Sequence, residues 1–240
     1  MNPEKSASIC IITARGGSKR IPRKNIKEFC GKPIIAYSVE AALSSGCFDE
    51  VMCSTDDDEI AGVAKRYGAS VPFMRSAATA NDFATTADVL NEVVAEYQKR
   101  GKSFDYFCCL YPTAPFVNAE RIRQGLEMMV AAKANGAMPV VQYSYPIQRA
   151  LKISDGAVSM REPEHLRSRS QDLEPMYHDA GQYYWYRTSA FLRNPNIMMS
   201  NPVAIVTPEE EVQDIDTLED WKMAEIKYKL FKNARDGIVS

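Results

Sequence analysis

Residues 8–25 read SICIITARGGSKRIPRKN, an apolar run followed at once by a loop of glycines and basic side chains. The β-branched run at its start is typical of a buried strand. Six basic residues and no acidic one lie between Arg15 and Lys27, in a chain whose formal charge is −2 and whose remainder therefore stands at −8. Such a local cluster on an acidic body predicts a site for a small polyanion rather than a nucleic-acid surface.

The loop lacks both common phosphate-binding patterns, G-x-x-x-x-G-K-S/T and G-x-G-x-x-G, which argues against kinase-type and dinucleotide-binding sites. Gly16 and Gly17 carry no Cβ, so their backbone N–H groups can approach a phosphate closely. Arg15, Lys19 and Lys24 flank the glycines and can neutralise that phosphate. The sequence therefore predicts a polyphosphate clamp, with a solvated basic turn as the alternative.

Composition indicates one globular domain over residues 1–240, with enough apolar sequence for a full core. No apolar run reaches the roughly 18 residues that span a bilayer, and the N-terminus lacks a signal-peptide pattern. We therefore expect a cytoplasmic protein with neither a membrane nor a nucleic-acid partner. Most of the six cysteines sit in apolar segments and are expected as buried free thiols, and two histidines alone argue against a zinc site.

Strand and helix signals alternate through the first half of the chain. Predicted strands cover 8–13, 50–54, 70–74, 106–111 and 137–142, and predicted helices cover 33–45, 57–67, 85–100 and 119–134. Repeated strand–helix units predict an α/β fold whose mostly parallel central sheet is flanked by helices, because right-handed crossovers place them on both faces.

The alternation breaks after residue 142. Residues 143–175 give turn signals and predict a small insertion that extends from the sheet. Strands are predicted again at 181–186 and 203–207, and a closing helix at 218–231. Ligands of parallel sheets bind at the carboxyl ends of the strands, so the basic loop should meet residues 55–57 and 112–115 in one crevice.

Asp214 and Asp216 flank Ile215 in a segment expected to be extended. Residues i and i+2 of such a segment share a face, so both carboxylates point the same way. Two adjacent carboxylates repel unless a cation sits between them, and magnesium prefers oxygen ligands of this kind. The alternative is that Asp216 caps the last helix, with Glu219 completing a capping box.

Two further polar regions leave two interpretations each. Thr85 and Thr86 can hydrogen-bond a ribose, but capping of the helix that follows is the favoured interpretation. The tract at 167–172 and 178–182 is dense in polar groups between turns. It is either a solvated loop or a pocket for a carboxylated ligand, which Arg167 or Arg169 can bind through paired hydrogen bonds.

Taken together, these motifs resemble the CMP-sialic acid synthetase (acylneuraminate cytidylyltransferase) family. The resemblance lies in ARGGSKRIPRKN (residues 14–25), VMCSTD (51–56), PFMR (72–75) and DIDT (214–217), which recur in family order over nearly the whole chain. The stretches CCLYPTAP (108–115), YPIQRA (145–150), RSQDLE (169–174) and HDAG (178–181) are similar to the branch that activates pseudaminic acid.

The resemblance implies a Rossmann-like nucleotidyltransferase fold and transfer of CMP from CTP to the anomeric 2-hydroxyl of an acidic nine-carbon sugar, with magnesium as cofactor. It implies that Arg15, Lys19 and Lys24 hold the triphosphate and that Asp214 and Asp216 bind the metal. It places nucleotide contacts at Ala14, Gly16, Gly17, Asn25, Arg75, Thr85 and Thr86. It places sugar contacts at Tyr111, Thr113, Arg167, Arg169, Gln171, Asp172, His178, Asp179 and Gln182.

Two departures from the family pattern bear on the substrate. Tyr111 stands where sialic acid synthetases generally have Gln, which argues against N-acetylneuraminic acid, while Ser76 replaces a Pro after Arg75 with less consequence. The family also uses its inserted segment to form a homodimer that completes the active sites. Legionaminic acid, N-acetylneuraminic acid and Kdo remain alternative substrates, and a non-catalytic nucleotide-binding regulatory module is the alternative of another class.

Overall fold

A computed structural model of the chain describes residues 6–196, 198 and 200–235. The strands are β1 (Ser8–Thr13), β2 (Glu28–Phe29), β3 (Lys32–Pro33), β4 (Glu50–Ser54), β5 (Tyr106–Leu110), β6 (Gly136–Gln142), β7 (Leu151–Ser154), β8 (Ala157–Met160), β9 (Tyr177–Asp179), β10 (Tyr183–Arg187) and β11 (Pro202–Val206). The helices are α1 (Ile34–Ser45), α2 (Asp58–Arg66), α3 (Ala77–Ala80), α4 (Thr86–Lys99), α5 (Ala119–Ala131), α6 (Thr188–Arg193) and α7 (Leu218–Arg235). Among the described residues, none of these helices combines the length and apolar character needed to cross a membrane.

The central sheet has the strand order β11-β6-β10-β5-β1-β4, with β9 also paired to β6. β1 pairs in parallel with β4 and β5, and β11 pairs in parallel with β6. β10 lies between the two groups and is antiparallel to both, and β9 is antiparallel to β6. The predicted α/β fold with a mostly parallel sheet is therefore confirmed.

β1 is buried on both faces, which explains why its sequence is apolar throughout rather than alternating. Cys10 and Ile12 point into a core packed by α1, α2 and α5. Ile9 and Ile11 point into a second core packed by α4 and α6. The cysteines are free, as predicted, and four of the six are buried.

A third apolar cluster lies beside the carboxyl edge of the sheet. Ile21 of the basic loop packs there with Phe29 and Phe116. Ile215 and Trp221 of the C-terminal part join the same cluster, and all five side chains are at most 4% exposed. This cluster connects the basic loop to the segment that carries Asp214 and Asp216.

The strand predicted at 70–74 is wrong. Only Ser70 makes an isolated parallel bridge, to Met52, and the residues after it are irregular. Pro72 has no N–H to donate to a ladder, which limits pairing at this position. The short helices α3 and α6 carry too few residues for the helical period to repeat, so the sequence patterns did not predict them.

Within residues 143–175 the chain forms the β7–β8 hairpin, which is a two-stranded sheet separate from the central sheet. Leu151, Ile153 and Val158 lie on one face of this hairpin and are 62–75% exposed. Lys152 and Ser159 lie on the opposite face. The hairpin therefore has a distinct apolar face, and that face is open to solvent in the single chain.

Close packing between α5 and the sheet gives the first prediction. A Cβ at Gly125 would lie 2.8 Å from Cδ1 of Trp185, closer than real contacts allow. Gly125→Ala should therefore destabilise the protein by about 1–3 kcal/mol, although Ala favours helix. Urea unfolding measures the change.

Gly62→Ala is the matched control, because Gly62 is also helical but has open space around its Cβ position. That substitution should stabilise the protein by about 0.5–1 kcal/mol. A Gly125→Ala protein as stable as its Gly62→Ala counterpart would contradict the packing argument.

Candidate active site

A cleft of about 530 Å³ opens at the carboxyl edge of the parallel strands, on the side of the basic loop. It gathers residues that are far apart in sequence, as the strand-end argument predicts. Ten of the predicted site residues line it: Arg15, Lys19, Lys24, Asn25, Arg75, Thr85, Thr86, Tyr111, Thr113 and Asp216.

The basic loop leaves β1 through backbone contacts with the end of β4. The N–H of Ala14, which is buried, donates to the carbonyl of Ser54 at 3.0 Å. The N–H of Gly16 donates to Oδ1 of Asp56 at 2.9 Å. A Cβ at Gly16 would lie 2.9 Å from Oδ2 of Asp57, whereas Gly17 has open space around it. Gly16 is therefore required by packing against an aspartate, a reason that differs from the phosphate approach predicted for it.

Asp57 connects this loop to the start of α2. Its carboxylate caps α2 by accepting from the N–H groups of Glu59 and Ile60. The same carboxylate pairs with both terminal nitrogens of Arg23, at 2.5 and 3.0 Å, and Arg23 also pairs with Glu59. Arg23 has a left-handed backbone (φ 56°), a strained conformation that its ion pairs stabilise. Hydrogen bonds from Arg23 lower the pKa of Asp57 to about 2, with help from the N–H of Ile60.

Four other cations of the loop meet two carboxylates from distant elements. Arg15 and Lys19 both contact Asp82, at 2.7 and 2.5 Å. Arg20 contacts Asp216 at 2.9 Å, and the Nζ of Lys24 lies 3.6 Å from the same carboxylate. Each carboxylate thus bridges the loop to another wall of the cleft.

Two further contacts order the loop at its inner end. Lys24 donates to the carbonyl of Ile215 at 2.7 Å, so its ammonium is directed at the aspartate segment. Asn25 is buried and donates to the carbonyl of Arg15 at 2.8 Å. Both polar side chains therefore serve the loop conformation even without a ligand.

Arg75 forms part of the inner wall of the cleft and is only 8% exposed. Its guanidinium donates to the hydroxyl and the carbonyl of Ser54, at 3.1 and 2.7 Å. Burial lowers its pKa, while the nearby Asp56 charge opposes that shift. The side chain is thus a fixed cation at the end of β4.

Two residues on the α4 side of the cleft have defined structural partners. Thr85 caps α4 in a capping box with Asp88, the favoured one of the two roles considered for it. Tyr111 packs edge-on against Tyr184, with ring centroids 5.5 Å apart. Burial raises the pKa of Tyr111, and hydrogen bonding to Thr86 opposes the shift. Tyr111 therefore joins the sheet edge to the start of α4.

The capping alternative for Asp216 is wrong. Thr217 caps α7 instead: its hydroxyl accepts from the N–H of Asp220, whose carboxylate accepts from the N–H of Thr217. This leaves the Asp216 side chain to the loop cations, with Ile215 buried as predicted. Asp214 is exposed and is not among the residues that line the cleft.

The tract predicted to contact the sugar lies outside the cleft in the single chain. Arg169 pairs with Asp172 at 2.8 Å, and Asp179 accepts from the hydroxyl of Tyr184 at 2.8 Å. Gln182 is buried and donates to the carbonyl of Glu211 at 2.7 Å. Of the other predicted sugar contacts, Arg167 and Gln171 are exposed and His178 is partly buried.

The sequence reasoning missed two charged residues of the cleft, Arg20 and Asp82. Arg20 is part of the basic cluster, so its type and position were a usable signal. Asp82 has no such signal, because its partners lie more than sixty residues away in the chain.

Comparison with known proteins assigns the chain to a family. The model of the cytidylyltransferase family matches residues 9–234, and the chain belongs to this family. It is 43% identical to a pseudaminic acid cytidylyltransferase of Campylobacter jejuni serotype O:2, over 93% of this chain and 97% of that protein. It is 34% identical to a CMP-N,N'-diacetyllegionaminic acid synthase of Legionella pneumophila, over 94% of this chain and 98% of that protein.

The fold has a solved counterpart. The structure of CMP:2-keto-3-deoxy-manno-octonic acid synthetase complexed with CTP superposes with a TM-score of 0.68. It covers 94% of this chain and 99% of that chain, at 19% identity, so it supports the fold alone. The resemblance found in the motifs is thus confirmed at family level, and the chain is a CTP-dependent nucleotidyltransferase.

The Arg23–Asp57 pair makes stability depend on pH. The pKa of Asp57 is depressed in the folded protein, so its contribution is present above the unfolded value near 4 and is lost as pH falls to about 2. Asp57→Asn keeps a capping side chain but loses the charge, and should cost about 1–2 kcal/mol at neutral pH. Urea unfolding of both proteins between pH 7 and 2 measures the difference, which should shrink only below about pH 4. A difference independent of pH would contradict the ion-pair account.

Proposed function

We propose that the protein transfers CMP from CTP to the anomeric 2-hydroxyl of pseudaminic acid. The observation that carries this proposal is the 43% identity, over nearly both full lengths, to a protein with that named activity. The cleft supports it independently, because five basic side chains and two carboxylates line it within the described part of the chain. An excess of cations at a strand-end cleft suits a triphosphate.

The reaction at phosphorus makes one bond and breaks one. The sugar hydroxyl oxygen attacks the α-phosphorus of CTP and its proton passes to solvent water, while the bond from the α-phosphorus to the bridging oxygen breaks to release pyrophosphate. Such phosphoryl transfer needs alignment and charge neutralisation more than covalent help from the protein. Arg15 and Lys19 on one wall, with Lys24 near Asp216, are placed to neutralise the departing pyrophosphate.

The residues present fit a magnesium ion held from the aspartate segment. Asp216 offers carboxylate oxygens inside the cleft, and Asp214, which is exposed beside it in the sequence, offers a second carboxylate two residues away. Magnesium is bound by one or two carboxylates of this kind, and phosphate oxygens and water complete its set of ligands. When bound, the ion would reduce the negative charge on the phosphate oxygens. A separate cluster of possible metal ligands in the described part of the chain lies outside the cleft and consists of Glu162, Glu164 and His165.

We also propose that the β7–β8 hairpin, within the insertion at 143–175, joins two copies of the chain. Its apolar face is open to solvent in the single chain, and apolar patches of this kind mark protein–protein contacts. The sugar tract at 167–172 and 178–182 follows the hairpin in the sequence and lies outside its own chain's cleft. A dimer would allow the tract to complete the partner's site.

The first experiment offers purified protein CTP and magnesium with pseudaminic, legionaminic or N-acetylneuraminic acid and measures pyrophosphate release. We expect the highest kcat/KM with pseudaminic acid. A preference for legionaminic acid would move the proposal to that substrate, and no release with any sugar acid would overturn it.

Asp216→Ala serves as the inactive control in this assay, because it removes the carboxylate proposed to hold the metal inside the cleft. Glu219→Gln is the matched variant, since Glu219 is an exposed acid of the next turn. Only Asp216→Ala should lose activity, with folding checked by thermal unfolding. Rates near wild type for Asp216→Ala would contradict the metal assignment.

The dimer proposal is tested on the hairpin. Ile153→Lys puts a charge on the apolar face and should convert a dimer into monomers in analytical ultracentrifugation, because burying an unpaired charge is costly. Ser159→Lys makes the same change on the opposite face and should leave the dimer intact. A wild-type monomer, or an Ile153→Lys dimer, would contradict this use of the hairpin.

A further inference from the structure

Asp82 occupies the place between two cations of the basic loop. Its Oδ1 accepts from Arg15 at 2.7 Å, and its Oδ2 accepts from Lys19 at 2.5 Å. Each carboxylate oxygen thus has a cation of its own, the arrangement that two oxygens of a phosphate group also make with basic side chains. Hydrogen bonds from Lys19 and Arg15 lower the pKa of Asp82, so the group is an anion at neutral pH.

The carboxylate is presented from an ordered turn across the cleft. Residues 81–84 connect α3 to α4, and the side-chain oxygen of Asn81 accepts from the N–H groups of Phe83 and Ala84 at 2.8 and 3.0 Å. The capping box of Thr85 with Asp88 fixes the exit of the turn. The position of Asp82 is therefore set by local hydrogen bonds in addition to its two ion pairs.

The other carboxylate of the cleft has a different environment. Asp216 follows Asp214 in one extended segment, so a second acid adjoins it for a metal. Asp82 has Asn81 and Phe83 as its neighbours in sequence instead of a second acid, and its carboxylate contacts Arg15 and Lys19. Its role is therefore that of a counterion for Arg15 and Lys19.

We propose that Asp82 is a positioning residue that acts as an exchangeable counterion at the phosphate site. Without nucleotide it holds Arg15 and Lys19 together across the cleft, and it gives both cations up to phosphate oxygens when CTP binds. A fixed carboxylate beside a bound polyanion repels it, so Asp82 also weakens the hold on pyrophosphate and promotes its release. The inference rests on the proposed use of Arg15 and Lys19 as triphosphate ligands.

The test compares Asp82→Asn, which keeps the shape of the side chain and removes its charge, with wild type. Isothermal titration with pyrophosphate, without magnesium, should show binding about fivefold tighter for the variant, because one repulsive charge at close range is gone. In steady state the KM for CTP should fall and kcat should not rise. Glu96→Gln removes the same charge from α4 at an ion pair with Lys99, and should bind pyrophosphate as wild type does.

Equal or weaker pyrophosphate binding by Asp82→Asn would overturn the inference. Weaker binding confined to a parallel titration with magnesium would make Asp82 a metal ligand and would overturn it too. The outcome is separate from that of the proposed function, because pyrophosphate binding needs no sugar acid. A wild-type protein that binds pyrophosphate but uses no sugar acid would refute the function and leave this comparison valid.

Discussion

The site depends on the apolar cluster that connects the basic loop to the segment carrying the two aspartates. Ile21 sits inside the basic loop and Ile215 sits between the two aspartates, and both are buried in the same cluster with Trp221 of α7. Burial of such side chains stabilises by about 1.5–3 kcal/mol each, far more than an exposed ion pair does. The charged groups are therefore brought together by their apolar neighbours, and Lys24 meets Asp216 because the isoleucines meet.

This arrangement also explains how a small cleft keeps several cations close together. Like charges repel, and the repulsion grows where water is excluded. Asp82 and Asp216 reduce this repulsion from different segments of the chain, each pairing with two cations of the loop. The buried charge of Arg75 is stabilised in another way, because its guanidinium donates to the hydroxyl and carbonyl of Ser54. The protein thus supplies in advance part of the negative charge that a substrate would bring.

The sequence predicts those features of the fold and site that depend on local sequence pattern and on the topology of a parallel sheet. The strand at 8–13 follows from apolar periodicity, and the meeting of the basic loop with Thr113 follows from the rule for strand ends. The place of Asp216 in the same cleft is implied by the family resemblance instead. The antiparallel direction of β10 does not, because it depends on where the chain arrives: Tyr183 begins that strand beside Leu110, at the carboxyl edge where β5 ends. The pairing of Asp82 with Arg15 and Lys19 is a contact between distant parts of the chain, and no periodic sequence pattern predicts it.

The placement of the predicted sugar tract bears on which chains of a dimer would bind each of the two substrates. All the predicted triphosphate ligands of the basic loop line the cleft of one chain, whereas Arg169 and Asp179 lie outside that cleft. The hairpin next to the tract leaves Leu151 and Ile153 in solvent, an unfavourable state for a single chain. If the same contact that covers the hairpin carries the tract to a partner's cleft, then association and sugar recognition are one event. CTP affinity should in that case be a property of the monomer. Full affinity for the sugar acid should require the pair, because Tyr111 and Thr113 lie in the chain's own cleft and the tract does not.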